Sequence, residues 1–199
     1  MRVKECLIFI LNGPSASGKT MVMEHLTQQK EHNLERFITT TTRKPRLKPV
    51  PETNGKDYYF VSREEFEKSK NLIIEKTEYP IGSGVYYGTL HSEVKRINAM
   101  NKDAIVVLDI NGVKAFKRVY GSERVVSIFI YRDLGQIEKD LLKRNLPKEE
   151  VKRRMELAKK ELLNISLSDH VVYNIKDKEA LINDVLEIIE EERKRRANE

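Results

Sequence analysis

Residues 6–20 read Cys-Leu-Ile-Phe-Ile-Leu-Asn-Gly-Pro-Ser-Ala-Ser-Gly-Lys-Thr, and this stretch decides the fold. Residues 6–11 are a short apolar run stopped by Asn12-Gly13, the pattern of a strand buried on both faces. Gly13, Pro14, Ser15, Ala16, Ser17, Gly18, Lys19 and Thr20 then match G-x-x-x-x-G-K-[S/T] at every position, and residues 19–30 continue with helical periodicity. Glycines in such a loop let the backbone curl until several N–H groups point at phosphate oxygens, and the helix N-terminus adds positive potential. Lys19 is expected to reach the β- and γ-phosphates of a nucleoside triphosphate, and Thr20 to ligate Mg²⁺. A random chain of this length would match about 1 time in 150 at ordinary residue frequencies, and the strand–loop–helix context lowers that further.

Outward from the loop, short apolar runs alternate with helical patterns. Residues 37–42, 104–109, 125–131 and 170–173 read as further strands, and 113–119 as a helix. Asp133 suits the cap of a helix running to about residue 144, and Pro147 opens another that reaches about residue 163. A last helix starts near Lys178 with Leu181, Ile182, Val185, Leu186, Ile188 and Ile189 on its buried stripe. Such alternation builds a parallel sheet with helices on both faces. Residues 43–90 break the rhythm. They hold strand-like runs at 58–61 and 72–76 around a capping box, Ser62-Arg63-Glu64-Glu65, and read as an α+β insertion on the side where such sheets bind ligands. Asp109, ending its strand, stands where an acidic residue orients Mg²⁺, and equally where one caps the next helix.

The chain has 199 residues, 39 % hydrophobic and 34 % charged, with 37 basic and 31 acidic side chains for a net charge of +6. That suits one domain with a normal core and a wet surface. No apolar run approaches the ~18 residues of a membrane span, so no membrane partner is expected. The charge is mixed rather than gathered with interleaved aromatics, which argues against nucleic acid. The single cysteine, Cys6, excludes a disulfide framework and a zinc site, and its apolar neighbours suggest a buried, inert thiol. The first residues do not form a signal peptide, so a reducing cytoplasm is the expected compartment.

Further segments resemble the guanylate kinases. They are 39–46 (TTTTRKPR), 54–62 (NGKDYYFVS), 86–89 (YYGT), 108–110 with 112–114, and 169–174; with the phosphate loop they follow the family's order along nearly the whole chain. The resemblance implies an α/β, three-layer P-loop kinase fold. Its core would be residues 1–42, 91–142 and 165–199, with an acceptor-binding lobe at 43–90 and a helical lid at 143–164. It implies that Glu75 accepts the N1 and N2 donors of guanine, which adenine cannot offer to a carboxylate, helped by the hydroxyls of Thr39 and Thr89. Arg43 and Arg46 match the arginines holding the acceptor phosphate, a task suited to a planar bidentate fork, and Tyr58 and Tyr87 the tyrosines touching the same phosphate. Tyr59 and Tyr86, on the alternate strand positions, are then core candidates. Arg144 and Arg154 match lid arginines over the triphosphate, in a helix that also carries Lys152 and Arg153. Asn174 matches a contact to the adenine of ATP. Each of these side chains could instead be an ordinary packing or surface residue.

The chain departs from the family pattern at four places. Asn111 directly precedes Gly112, where a second acidic residue and a longer turn are usual, so it stands at the position of a GMP contact. Insertions occupy 48–53 and 79–85, and Asn145 replaces a common glycine. The expected reaction is MgATP + GMP ⇌ ADP + GDP, by a monomer or homodimer with Mg²⁺ as cofactor. Rival readings are a related kinase acting on dGMP or a phosphorylated ribose, a non-catalytic binding module of the same family, and a nucleic-acid-binding ATPase.

Overall fold

The computed structural model describes residues 5–47, 50–144 and 146–198. The N-terminal residues 1–4, Lys48 and Pro49 of the first insertion, and Asn145 lie outside them. A five-stranded parallel sheet runs in the order β2 (Leu34–Arg36), β7 (Asp103–Val107), β1 (Ile8–Asn12), β8 (Val125–Tyr131), β9 (His170–Tyr173). Alternation along the first strand explains its helices on both sides. Leu7, Phe9 and Leu11 face α1 (Lys19–Gln28) and α7 (Lys178–Ala197), meeting Val22, Leu26, Leu181 and Val185. Cys6, Ile8 and Ile10 face α3 (His91–Ala99) and α4 (Ile110–Tyr120), meeting Val94, Ile97, Val113 and Phe116. The three layers are therefore those expected. Cys6 is buried, and desolvation pushes its thiol pKa up, which fits an inert group.

A second, mixed sheet of four strands lies in the order β4 (Tyr59–Phe60), β3 (Thr40–Thr41), β6 (Tyr86–Leu90), β5 (Ile73–Glu78), with α2 (Arg63–Lys68) opened by the Ser62/Glu65 capping box. The single strand expected at 37–42 is instead divided between the two sheets. Residues Leu34–Arg36 pair with β7, Phe37 stacks on Phe116, and only Thr40–Thr41 join the second sheet. The crossing is pinned by Glu93, 2 % exposed, whose carboxylate accepts the Ile38 N–H at 2.8 Å and the Tyr59 hydroxyl at 3.1 Å. A continuous β-prone run does not reveal that its hydrogen-bonding partners change midway.

Tyr59 and Tyr86 are not core residues. Both are half-buried, as are Tyr58 and Tyr87. Tyr59 turns its hydroxyl to Glu93, and Tyr86 stacks on the buried Phe66 while Lys76 sits 4.0 Å from its ring centroid. The chain closes with α5 (Leu134–Leu142), capped by Asp133 as expected, and α6 (Lys148–Leu162), packed together through Ile137, Leu141, Val151 and Ala158.

Candidate active site

The phosphate loop sits at the carboxyl end of β1, at the centre of the parallel sheet. Gly13 has φ +120°, and a Cβ there would lie 2.6 Å from the Ile130 carbonyl oxygen, so only glycine fits. Gly18, at φ +105°, is the N-cap of α1. The Lys19 ammonium is folded into the loop, donating to the carbonyls of Gly13 (2.6 Å) and Pro14 (2.7 Å) and reaching Ser17 Oγ at 3.5 Å. Burial pushes its pKa down to about 8, Glu161 opposes that shift, and the charge of Arg144 adds to it. Thr20 stands exposed in the first turn of α1. Asn174, just beyond β9, donates to the Ser17 carbonyl at 2.9 Å and so braces the loop from behind.

The α5–α6 hairpin reaches the same loop. Arg154 Nη1 lies 3.4 Å from Ser15 Oγ, and its Nε donates to Glu150 at 2.7 Å. Arg153 shares the Glu150 carboxylate, but its guanidinium lies against the ring of Tyr79 instead of reaching the loop. Arg144 is exposed at the end of α5, close enough to influence Lys19. Glu161 lies beside the loop: burial holds its carboxyl above the usual range while the charge of Lys19 pulls it back. Sequence reasoning missed Glu161, whose position becomes meaningful only when α6 folds over the loop.

The second sheet gathers the remaining candidates. Arg43 is almost saturated: Nε donates to Tyr87 Oη (3.2 Å), Nη1 to Glu52 (2.8 Å) and the Lys44 carbonyl (2.8 Å), and Nη2 to Glu52 (2.9 Å). Its guanidinium lies 5.3 Å from the centroid of Tyr58, whose own pKa is raised by burial. The Arg43 hydrogen bonds hold Glu52 below the ordinary carboxylate range. Glu52 also accepts the Arg46 N–H at 2.6 Å, while the Arg46 side chain is exposed. Glu52 is a second residue the sequence reading missed, because nothing local marks it as the partner of Arg43.

Glu75 is 7 % exposed on β5 and accepts the Thr89 hydroxyl at 2.9 Å from β6. Burial, with a further push from Asp109, raises its pKa to about 7 against the pull of the Thr89 hydrogen bond. Thr39 is half-buried at the crossing between the sheets, its carbonyl accepting the Tyr59 N–H. Asp109 is the N-cap of α4. Oδ1 caps α4 through the Gly112 N–H at 2.9 Å, while Oδ2 faces Thr77 Oγ1 at 3.5 Å. Asn111 is exposed in the first turn of α4. Among the described residues no group of three or more His, Cys, Asp or Glu side chains could hold a metal alone. The Thr20 hydroxyl and the Asp109 carboxylate are hard oxygens, a donor set that fits Mg²⁺, which keeps most of its coordination for water and substrate phosphates.

Asp109 is felt by Glu75 on one side and by Glu161, the neighbour of Lys19, on the other. The buried Glu75 carboxylate and the phosphate loop are therefore near neighbours in the fold. A phosphate loop at the end of the central parallel strand, facing a small sheet with an arginine and a buried carboxylate, defines a P-loop phosphotransferase of small substrates. The family model described as guanylate kinase matches residues 6–192. A guanylate kinase of Porphyromonas gingivalis is 37 % identical over 159 residues, 78 % of this chain and 81 % of that protein. One from Carboxydothermus hydrogenoformans is 32 % identical over 190 residues, 94 % of this chain and 89 % of that one. The crystal structure of guanylate kinase from Anaplasma phagocytophilum superposes with a TM-score of 0.70 at 27 % identity, covering 94 % of this chain and 86 % of that one. This chain belongs to the guanylate kinase family.

Proposed function

We propose that the chain moves the γ-phosphoryl group of ATP onto the phosphate of GMP, giving ADP and GDP. The observation that carries this is the buried Glu75, held by Thr89 and close to Asp109, which in turn bears on Glu161 beside Lys19 of the phosphate loop. An ionised Glu75 accepts both N1–H and N2–H of guanine, and the Thr89 hydroxyl fixes its orientation; Thr39 supplies a further hydroxyl at the base edge. Arg43, set between Glu52 and Tyr87, receives the acceptor phosphate with Arg46, Tyr58 and Tyr87. Asn111, exposed in the first turn of α4, is the remaining GMP contact in this reading.

In the transfer, a GMP phosphate oxygen forms a bond to Pγ as the bond from Pγ to the β,γ-bridging oxygen of ATP breaks. The acceptor oxygen is already anionic at pH 7, so no general base is needed. Catalysis is alignment and charge neutralisation. The N–H groups of residues 13–20 cradle the triphosphate and Lys19 leaves its loop carbonyls for the β- and γ-phosphates. Arg144 and Arg154 close over the transferring group, and Asn174 meets the adenine. Thr20 and Asp109 would hold Mg²⁺, which would supply charge neutralisation at the triphosphate. In this reading residues 43–90 are the acceptor lobe and 143–164 the lid, whose closure excludes water. A cytoplasmic location belongs to the same reading, in keeping with the single, buried cysteine. The test is the acceptor profile: Glu75→Ala should lose most of its discrimination for GMP, and a variant that still prefers GMP would sink the assignment.

A further inference from the structure

The 79–85 insertion is a fixed hairpin tip rather than a loose loop. The Tyr79 N–H donates to the Val85 carbonyl (3.0 Å), Ser83 N–H to the Pro80 carbonyl (3.0 Å), and Gly84 N–H to Glu78 Oε1 (2.7 Å). Gly82 and Gly84 supply the left-handed turns, at φ +79° and +71°. The tip presents the half-buried ring of Tyr79 to α6, where the Arg153 guanidinium lies 5.6 Å from its centroid, within cation–π range. Arg153 is in turn held by Glu150 Oε2, at 3.0 Å from Nε and 2.6 Å from Nη2. The other oxygen of the same carboxylate, Oε1, takes Arg154 Nε at 2.7 Å, and Arg154 reaches Ser15 of the phosphate loop. An unbroken line of contacts thus runs from the acceptor lobe to the phosphate loop: Tyr79, Arg153, Glu150, Arg154, Ser15.

We propose that Tyr79 is a positioning residue for phosphoryl transfer, seating Arg153 so that Glu150, gripping both arginines, fixes Arg154 over the triphosphate. The lid arginine is then set only while the acceptor lobe is closed against the lid, which couples the two motions through one aromatic ring. This rests on the reading of Arg154 as a lid arginine.

The experiment is a double-mutant cycle on the full chain, with kcat and both KM values measured for Tyr79→Phe, Tyr79→Leu, Arg153→Met and Tyr79→Leu/Arg153→Met, beside Arg154→Met. Tyr79→Phe keeps the ring face and should match the wild type. Tyr79→Leu and Arg153→Met should each lower kcat about two- to fivefold, the scale of a cation–π contact, with KM for ATP and GMP unchanged. The double variant should lose no more than the worse single. Additive losses, kcat unchanged in both singles, or a Tyr79→Phe loss equal to that of Tyr79→Leu would overturn the proposal. So would raised KM values with a lowered Tm, the mark of a merely structural tyrosine; Arg153→Met, at the helix surface, keeps the test open if Tyr79→Leu folds poorly. Full turnover in Arg154→Met would instead remove the lid reading itself, whatever Tyr79 does.

Discussion

Glu52 grips Arg43 at both ends of its fork, Nη1 at 2.8 Å and Nη2 at 2.9 Å, while Tyr87 takes the third side at 3.2 Å. The pair is well shielded, at 16 % and 17 % side-chain exposure, so it differs from the exposed ion pairs that contribute little. It fixes an otherwise flexible arginine, the one proposed to receive the acceptor phosphate. Glu52→Ala should therefore raise KM for GMP about tenfold, the scale of a lost charge-assisted hydrogen bond, with KM for ATP unchanged. An Ala variant with tighter GMP binding would show that Glu52 competes with the phosphate instead of orienting its receptor.

Glu75 gives the site a pH dependence with a definite sign. Its pKa is raised to about 7 in the fold, and only the ionised form accepts two guanine donors. The value of kcat/KM for GMP should fall below about pH 7 in the wild type, more steeply than in Glu75→Gln, where only the substrate phosphate still titrates.

The same shift acts on stability. A carboxyl raised from 4.5 to about 7 stays protonated in the fold while the unfolded chain ionises, so the wild type loses stability as pH rises from about 4.5 to 7. Glu75→Gln should gain roughly 2–3 kcal/mol above pH 7, and the gain should fade as pH falls towards 4.5. Denaturant titrations at pH 4.5 and pH 8 test this directly; an equal gain at both would contradict it.

Asp109 caps α4 and is the proposed Mg²⁺ ligand, and one substitution separates the two roles. Asparagine is as good an N-cap as aspartate, so Asp109→Asn should keep its Tm within a degree or two. Its Mg²⁺ requirement should rise at least several-fold, and chelation of Mg²⁺ should abolish turnover in both proteins. An unchanged Mg²⁺ profile would leave Asp109 as a cap alone.

Lys19→Ala should lower kcat by about 10²–10³-fold, the usual cost of losing one preorganised charge-stabilising donor. It should not destabilise the fold at pH 7. Burial lowers the ammonium pKa to about 8, so at pH 7 the fold carries a charge that is harder to hold there than in the unfolded chain, and removing it relieves that cost. A matching loss of Tm and activity would point to damage rather than chemistry.

The phosphate loop was legible because its chemistry is written in consecutive residues, and β1 and α1 followed from it. The pocket residues Glu75, Thr89, Arg43 and Tyr87 became visible only through motifs shared with a family, since no local pattern brings β5 and β6 together. What stayed hidden depends on partners distant in sequence. Examples are the sheet change at Ile38, pinned by Glu93 55 residues away, and Glu161, which matters only once α6 lies on the loop. Helix α3 was missed because its buried side is only Glu93, Val94 and Ile97 on an otherwise polar segment.

The central claim is that buried Glu75 and the phosphate loop serve one reaction on guanine nucleotides. The direct test is ADP release from MgATP with GMP, dGMP, AMP, CMP, UMP and ribose 1,5-bisphosphate offered separately. Turnover with GMP, alone or with dGMP, is the predicted result. Preference for any of the other acceptors, or no turnover with any of them while ATP still binds, would contradict it.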